Sequence, residues 1–120
     1  MDIEKLKIWQ LAIKLAEDIY KITSKFPKSE KFGIVDQMKR SAISVSSNIA
    51  EGRGRNSTND FVRFLNIARG SLYELQSQST IAHNVGLMKA EDYKMIKNKI
   101  EDLAHKIKGF VDHLQKQNNK

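Results

Sequence analysis

Apolar residues recur at alternating spacings of three and four along the last third of the chain. The series runs Tyr93, Ile96, Ile100, Leu103, Ile107, Phe110 and Leu114. This spacing places every member on one face of an α-helix and is typical of the seam of an antiparallel bundle or coiled coil. The series therefore predicts a long helix whose apolar face is buried against neighbouring elements.

Three further segments show the same helical periodicity, and the breaks between segments fall at the only proline, Pro27, and at glycines. The predicted helices cover residues 3–25, 29–52, 58–85 and 90–115, in a single domain of residues 1–120. Ser29 and Ser57 are predicted to cap the second and third helices. Short connections make consecutive helices antiparallel, so the predicted fold class is all-α, an up-down-up-down antiparallel four-helix bundle.

Two of the predicted helices carry features that a simple bundle does not need. The first helix has two apolar stripes, which require two neighbours. They comprise Leu6, Trp9, Ile13, Ala16 and Tyr20 on one side and Ile8, Leu11, Leu15, Ile19 and Ile22 on the other. The third helix has a single charged residue, Glu74, within residues 70–85, so this segment is predicted to lie in the interior or against another subunit. Gly70 indicates crowded backbones there.

Composition and charge narrow the class of protein. The absence of cysteine excludes disulfides and thiolate metal sites. The lack of a signal-like start or a long apolar run predicts a cytoplasmic protein with no membrane partner. The 21 Lys and Arg residues outnumber the 14 acids and give a net charge of +7. This charge favours polyanionic partners such as RNA, but it also simply keeps a small protein soluble.

Small and polar side chains form a continuous stripe along the second helix, at spacings of four and three. Its members are Gln37, Ser41, Ser44, Asn48 and Glu51. The stripe is either a polar groove or a place where another helix approaches closely. The second interpretation is favoured because buried polar groups normally have partners. The structural polar network predicted on this basis comprises Ser44, Asn48, Glu51, Arg69, Ser71 and Glu74.

All five arginines lie between positions 40 and 69, whereas every other positive charge is a lysine. A guanidinium can hold a phosphate through two hydrogen bonds at once, so this confinement indicates a specific polar site. The turn from Gly52 to Ser57 also precedes a helix N-terminus, a setting that favours anions. The turn lacks a phosphate-loop motif, so capping and intersubunit ion pairs are the favoured explanation there. The candidate nucleic-acid or anion-binding residues are Lys39, Arg40, Arg53, Arg55 and Arg63.

The sequence does not indicate an enzyme. The three histidines, His83, His105 and His113, form no HxxxH pair. Asp102-x-x-His105 occurs once, where a di-iron bundle needs paired Glu-x-x-His motifs. No nucleophile, base and orienting group can be assembled either. We therefore predict no catalytic or metal-ligating residue, no cofactor and no small-molecule substrate.

Five segments are too specific to be read as generic helix. They are Trp9-x-x-Ala12-x-x-Leu15-x-x-x-Ile19-Tyr20, Phe26-Pro27-x-x-Glu30-x-Phe32-Gly33, Gln37-Met38-x-Arg40-Ser41-Ala42, Ser44-Val45-x-x-Asn48-Ile49-Ala50-Glu51-Gly52-x-x-Arg55-x-Ser57 and Phe64-Leu65-x-Ile67-Ala68-x-Gly70-Ser71-Leu72-x-Glu74-Leu75. Together, over about residues 6–87, they resemble the four-helix-bundle proteins encoded within intervening sequences of bacterial 23S ribosomal RNA genes.

This resemblance implies an up-down-up-down bundle that assembles as a ring-like homo-oligomer, pentameric in related proteins. It also implies association with RNA through the context of the gene. Related bundles serve as accessory subunits of diversity-generating retroelements, where a basic surface of the ring engages nucleic acid and a reverse transcriptase. Two features depart from the family pattern: Asp60 stands where Glu is common, and residues 76–80 are more polar than usual.

Two hypotheses follow for the function. The first is a non-enzymatic homo-oligomer that binds structured RNA through phosphate contacts from the arginines and neighbouring lysines. The alternative is a protein-interaction scaffold in which the polar stripe and the arginines hold subunits together, with no direct role for nucleic acid. Burial of Arg40, Arg55 and Arg69 against Glu51 and Glu74 would favour the scaffold.

Overall fold

Four long helices make up almost all of the computed structural model, which describes residues 2–118. Each helix packs against the next one in sequence, and the first also packs against the last, so the predicted up-down-up-down bundle is confirmed. The molecule measures 51 × 21 × 20 Å. The helices are α1 (Lys7–Thr23), α2 (Ile34–Arg53), α3 (Thr58–Asn84) and α4 (Ala90–Asn118), with short 3-10 helices at Ile3–Lys5 and Lys28–Glu30.

The connection between α1 and α2 is longer than predicted. Helix α1 ends at Thr23 and α2 begins only at Ile34, so the prediction of a second helix from residue 29 is wrong by five positions. Ser29 lies inside a 3-10 helix that follows the extended Pro27, and Gly33 occupies the N-cap of α2 without a side-chain cap. Likewise the start of α1 is later than predicted, because Leu6 is extended between a 3-10 turn and the helix.

Ser57 is the N-cap of α3, as predicted. Its Oγ accepts a hydrogen bond of 3.1 Å from the backbone N–H of Asp60. We expect Ser57→Ala to lower the free energy of unfolding by about 1 kcal/mol, because the cap bond is lost. The control is Ser29→Ala, an exposed position outside any cap, which should change it by less than about 0.5 kcal/mol. Urea unfolding of both variants checks this, and equal effects would contradict it.

The core is formed by one stripe of each helix. From α1 the buried stripe is the second of the two predicted, with Leu15 and Ile19 almost fully enclosed. Apolar residues of α2 at spacings of three and four and the centre of the predicted α4 seam are buried as well. They are Met38, Ala42, Val45 and Ile49 from α2 and Ile96, Ile100, Leu103 and Ile107 from α4. The period of three and four therefore identified the core face of these helices correctly.

The other stripe of α1 lines an open apolar groove. Ile13, Ala16 and Tyr20 face Ile43 and Ser46 of α2 across a space of about 620 Å³. We call this the α1–α2 groove. Ile13 and Ala16 are half-buried, whereas Tyr20 and Ile43 are exposed.

Residues 70–85 were predicted to lie in the interior, and within the single chain this is wrong for one face of the α3 segment. Leu72, Leu75 and Ala82 are fully buried, but Glu74 and Ile81 are exposed. The outer face is poor in charge because, besides Glu74, it carries uncharged polar residues such as Ser77 and Asn84 and exposed apolar residues such as Ile81. Crowding at Gly70 is not found either, since no atom lies within 4 Å of the position that a Cβ would take.

The turn between α3 and α4 is held by side chains that the sequence left unexplained. The ring of His83 stacks on Tyr93 with centroids 4.7 Å apart, and the Tyr93 hydroxyl lies 3.0 Å from the Thr80 Oγ1. The His83 Nδ1 lies 3.1 Å from the carbonyl oxygen of Met88, to which it can donate. His83 therefore joins the two helices.

Candidate nucleic-acid interface

Two of the candidate arginines share one aromatic ring at the turn between α2 and α3. The Cζ atoms of Arg55 and Arg63 lie 4.9 and 4.5 Å from the ring centroid of Phe64. A guanidinium over an aromatic face is held by cation–π attraction, which limits the freedom of an otherwise long side chain. The ring is itself packed, with Phe64 buried. The turn thus presents two positioned guanidinium groups on one rigid support.

Each of these arginines also has a carboxylate nearby. The Arg55 Nη2 donates a hydrogen bond of 2.9 Å to Glu51, and the Arg63 Nε lies 3.7 Å from Asp60. These pairs are exposed, and surface pairs of this kind contribute about 0–1 kcal/mol. A guanidinium has five N–H donors, so one carboxylate leaves several available for a further acceptor. The two acids reduce the net positive charge of the turn, but they leave N–H donors of both arginines available to a ligand.

The five candidate residues do not form a single site. Arg53, Arg55 and Arg63 gather at the turn between α2 and α3, whereas Arg40 lies 13 positions before Arg53 on the same helix. That separation is about 20 Å along the helix axis. Arg40 donates from its Nε to Asp36 at 2.9 Å, with 78% of its side chain exposed. Lys39 places its Nζ 4.6 Å from the ring centroid of Tyr20.

Part of the predicted polar network is present and links α2 to α3. The hydroxyl groups of Ser44 and Ser71 lie 2.8 Å apart. The Asn48 Nδ2 donates to the Ser44 carbonyl oxygen at 2.8 Å and to the Ser44 hydroxyl at 3.0 Å. Small side chains bring the two helices together here, and their polar groups are partnered, as the structural interpretation of the stripe requires.

The other three members of the predicted network lie elsewhere. Glu51 bonds Arg55 one turn further along the chain. Arg69 reaches only Asn66 on its own helix, at 3.4 Å from Nη1 to Oδ1. Glu74 is exposed and makes no ion pair or side-chain hydrogen bond with residues 2–118. Within residues 2–118, therefore, no arginine–carboxylate pair links α2 to α3.

Two basic residues at the opposite end of α2 were missed. Lys28 and Lys31 join Lys39 around a cavity of about 190 Å³ beside Phe26 and Pro27. The lysines on both sides of Pro27 could have indicated this basic cluster. They were not recognised because the second helix was predicted to begin at residue 29, which would have placed Lys31 on a regular helix.

The described part of the chain shows no metal site. No group of three or more His, Asp or Glu side chains within residues 2–118 is placed to hold a metal ion. Among the helices of the same residues, none combines the length and the apolar character that a membrane span requires.

The family of the chain follows from comparison with known proteins. A family model described as "23S rRNA-intervening sequence protein" matches residues 4–109, from the 3-10 helix before α1 to the last third of α4. The chain belongs to this family. Membership of the 23S rRNA-intervening sequence family confirms the resemblance drawn from the motifs, and the match extends beyond the residues that carried it.

A solved relative supports the same fold. A protein of unknown function from the S23 ribosomal protein family of Bacteroides thetaiotaomicron is 22% identical to this chain. The match covers 87% of this chain and 97% of that one, with a TM-score of 0.78. At this identity the likeness concerns the fold alone. A comparison with curated proteins gives no match.

Proposed function

We propose that this member of the 23S rRNA-intervening sequence family is a non-enzymatic homo-oligomer that binds structured RNA through phosphate contacts. The observation that carries the proposal is the pair of guanidinium groups held on Phe64 by Arg55 and Arg63. Two forks at fixed positions beside a helix N-terminus suit phosphate oxygens of a folded backbone. The net charge of +7 adds a field that attracts a polyanion.

Assembly of several copies is the second part of the proposal. The α1–α2 groove is apolar and open. A second surface is a row of three exposed apolar side chains on one side of α3, Ile67, Ile81 and the C-cap residue Val85, with the exposed Glu74 between Ile67 and Ile81. Two different apolar surfaces on one chain suit a head-to-tail interface, which closes into a ring when the rotation permits. The family resemblance makes that ring a pentamer. Each added copy multiplies the positive charge offered to one RNA.

The scaffold remains the competing proposal, and one observation favours it. Arg40, Arg55 and Arg63 each have a carboxylate within 4.0 Å, so their charge is partly neutralised before any RNA arrives. In a scaffold these arginines would exchange their carboxylates for those of a neighbouring subunit. RNA binding would then depend on lysines alone and would be nonspecific.

Two further expectations belong to the RNA proposal, a cytoplasmic location and a relation to the accessory proteins of diversity-generating retroelements. A protein that acts on ribosomal RNA would work in the cytoplasm, as the sequence predicts. Kinship with the accessory bundles of diversity-generating retroelements stays a prediction, and it would be supported by the same basic surface binding nucleic acid.

The deciding experiment measures binding to two RNAs while the mass of the oligomer is recorded. The purified protein is titrated with its own precursor ribosomal RNA and with a mismatched RNA of equal length, across a salt series. Preference for the cognate RNA near physiological salt would support the proposal. Equal binding that vanishes with salt would favour the scaffold, since purely electrostatic binding falls linearly with the logarithm of salt concentration.

A double variant tests the arginine pair. We expect Arg55→Ala with Arg63→Ala to weaken cognate RNA binding roughly tenfold and to lower the salt slope by about 1 for each lost phosphate contact. The oligomer should keep its mass. The control, Lys94→Ala with Lys97→Ala, removes the same charge from exposed positions of α4. If the arginine variant instead dissociates the oligomer, or if both variants bind equally, the arginine pair is not the RNA site.

A further inference from the structure

A second basic groove lies between α3 and α4, away from the arginine pair. It has a volume of about 240 Å³. Its lining consists of Arg69, Tyr73, Glu101, Ala104, His105 and Lys108. Arg69 and Tyr73 are four positions apart on α3, and Glu101, His105 and Lys108 follow at spacings of four and three on α4. Both sets therefore project from one face of their helix into the shared space. We call it the α3–α4 groove.

Arg69 has hydrogen-bonding capacity that the chain does not use. Its Nε is shielded from solvent and has no partner among residues 2–118. The bond from its Nη1 to Asn66 is long, at 3.4 Å. A buried N–H without a partner is unfavourable, and native structures normally satisfy such groups. Because the Nε is shielded as the side chain stands, an acceptor oxygen in the groove becomes its partner when the Arg69 side chain turns toward the groove.

The lining of the groove fits a nucleotide better than a bare phosphate. Tyr73 is 55% exposed, and besides a hydroxyl that could donate to a phosphate it has an aromatic ring on which a base can stack. Glu101 would repel a lone phosphate, but its carboxylate can accept hydrogen bonds from the amino group of a base. Lys108 is paired with Asp112 at the surface, and such an exposed pair is weak enough to exchange. Ala104 leaves the floor of the groove open.

We infer that the α3–α4 groove holds one unpaired nucleotide of the bound RNA. The base stacks on Tyr73, and the adjoining phosphate contacts the guanidinium of Arg69 with Lys108 and His105 beside it. This combination of aromatic stacking and cationic phosphate contact is how proteins hold single-stranded nucleic acid. The inference rests on the proposed RNA function and adds to it, since the groove selects RNA with an unpaired position over fully paired RNA.

The groove is separate from the surfaces already assigned. The apolar row Ile67, Ile81 and Val85 has spacings of 14 and 4, which are close to whole numbers of helical turns, so its members lie on one side of α3. Tyr73 lies about a quarter turn or more around the helix from that side. Assembly through that row would leave Tyr73 accessible. The arginine pair lies at the turn between α2 and α3, so an RNA strand could contact both sites at once.

The first test uses the full-length protein and adenosine 5′-monophosphate as the probe, with ribose 5-phosphate and adenosine as half-probes. Binding is followed by NMR through the Nε–H signals of the five arginines, with the Arg69 signal assigned from Arg69→Lys. We expect the nucleotide to shift the Arg69 signal and each half-probe to bind at least tenfold more weakly. Equal binding of ribose 5-phosphate, or shifts confined to Arg55 and Arg63, would overturn the inference.

The second test uses two RNAs that differ only in whether one loop is unpaired or closed into a duplex. We expect Tyr73→Ala to weaken binding of the looped RNA roughly fivefold to a hundredfold, as the loss of a base-stacking partner does. Binding of the duplex should not change. Tyr73→Phe keeps the ring and is the matched control, which should bind as the unaltered protein does.

The outcomes separate this inference from the proposed function. If looped and duplex RNA bind equally and Tyr73→Ala affects neither, the groove is not a nucleotide site, while the RNA function stands. If the nucleotide binds in the groove but neither RNA binds at all, the RNA function fails and the inference fails with it. If Tyr73→Ala weakens both RNAs by the same factor, stacking on an unpaired base is excluded.

Discussion

Replacing Gly52 by alanine is expected to destabilise the bundle by about 1–3 kcal/mol, the usual effect of an extra methyl group in a packed contact. A Cβ at this position would lie 2.8 Å from the Cβ of Phe64, 2.9 Å from Phe61 Cδ1 and 3.2 Å from the Phe61 carbonyl oxygen. Real Cβ atoms are not found this close to other atoms, so α2 and α3 would have to separate. The loss should exceed the gain that alanine brings to a helix, which is about 1 kcal/mol.

The matched control for Gly52 is Gly70→Ala. Both glycines lie within helices, and neither has a positive φ. No atom lies within 4 Å of the Cβ position at Gly70, so alanine should stabilise the helix there by about 0.5–1 kcal/mol. Urea unfolding at one protein concentration compares the two variants. If both variants were stabilised, the end of α2 and the start of α3 would be farther apart than they are in the structure.

Gly52→Ala should also affect the arginine pair. The atom it would press against belongs to Phe64, which supports the guanidinium groups of Arg55 and Arg63. Displacement of the ring would move both arginines, so weaker RNA binding should accompany lower stability. This link would not be expected if the arginines bound RNA as freely moving charges.

Replacing Ile49 by alanine is expected to have the largest effect on stability, a loss of about 2–5 kcal/mol. The side chain of Ile49 is fully buried in the bundle. Removing its outer carbons forfeits their burial and leaves a cavity that the surrounding helices can fill only in part. The free energy of unfolding measures this loss, at a concentration where the mass of the oligomer has been established.

The control for Ile49 is Ile43→Ala on the same helix. Ile43 is 43% exposed and lines the α1–α2 groove. Its truncation should lower the stability of the single chain by less than about 1 kcal/mol, but it should weaken self-association if the groove receives another copy. A similar loss of stability in both variants, with no change in association, would contradict this division between core and groove.

The helices could be predicted from the sequence because each one carries a regular apolar stripe. The α4 seam shows this best, since the period alone gave both the helix and its buried centre. The link from Ser24 to Gly33 could not be predicted in the same way. Pro27 marks a break, but the residues after it have no property that distinguishes a 3-10 turn from the first turn of α2. The difference depends on how the link packs across the end of the bundle.

The candidate site was predicted only in part, because residues that are neighbours in sequence need not be neighbours in space. The arginines are confined to positions 40–69 in the sequence, yet Arg40 lies about 20 Å along α2 from Arg53 at the turn between α2 and α3. Gly52 was interpreted as a helix stop, whereas it lies within α2 where Phe61 and Phe64 come close. Such a contact depends on the rotation of α3 about its own axis, which periodicity does not fix.

The exposed row on α3 shows a related limit. Periodicity identifies apolar stripes, but it does not say which stripe is covered within the chain. For this reason the interior alternative for residues 70–85 is wrong for one face, while contact of that face with another subunit stays a prediction. The departure of Gln76 to Thr80 from the family pattern is explained at Thr80, whose Oγ1 lies 3.0 Å from the Tyr93 hydroxyl oxygen. It is not explained at Ser79, whose buried hydroxyl has no partner within residues 2–118.

The order of the helices affects how the chain folds while it is being made. Helices that are adjacent in sequence also pack together, and proteins built from such local contacts fold within microseconds to milliseconds. Synthesis of the 29 residues of α4 takes roughly 1.5 to 6 seconds at about 5–20 residues per second. Helices α1 and α2 leave the ribosome first and can pair before α4 is available. In each round of translation, the side of α1 that α4 later covers is therefore without that partner for seconds.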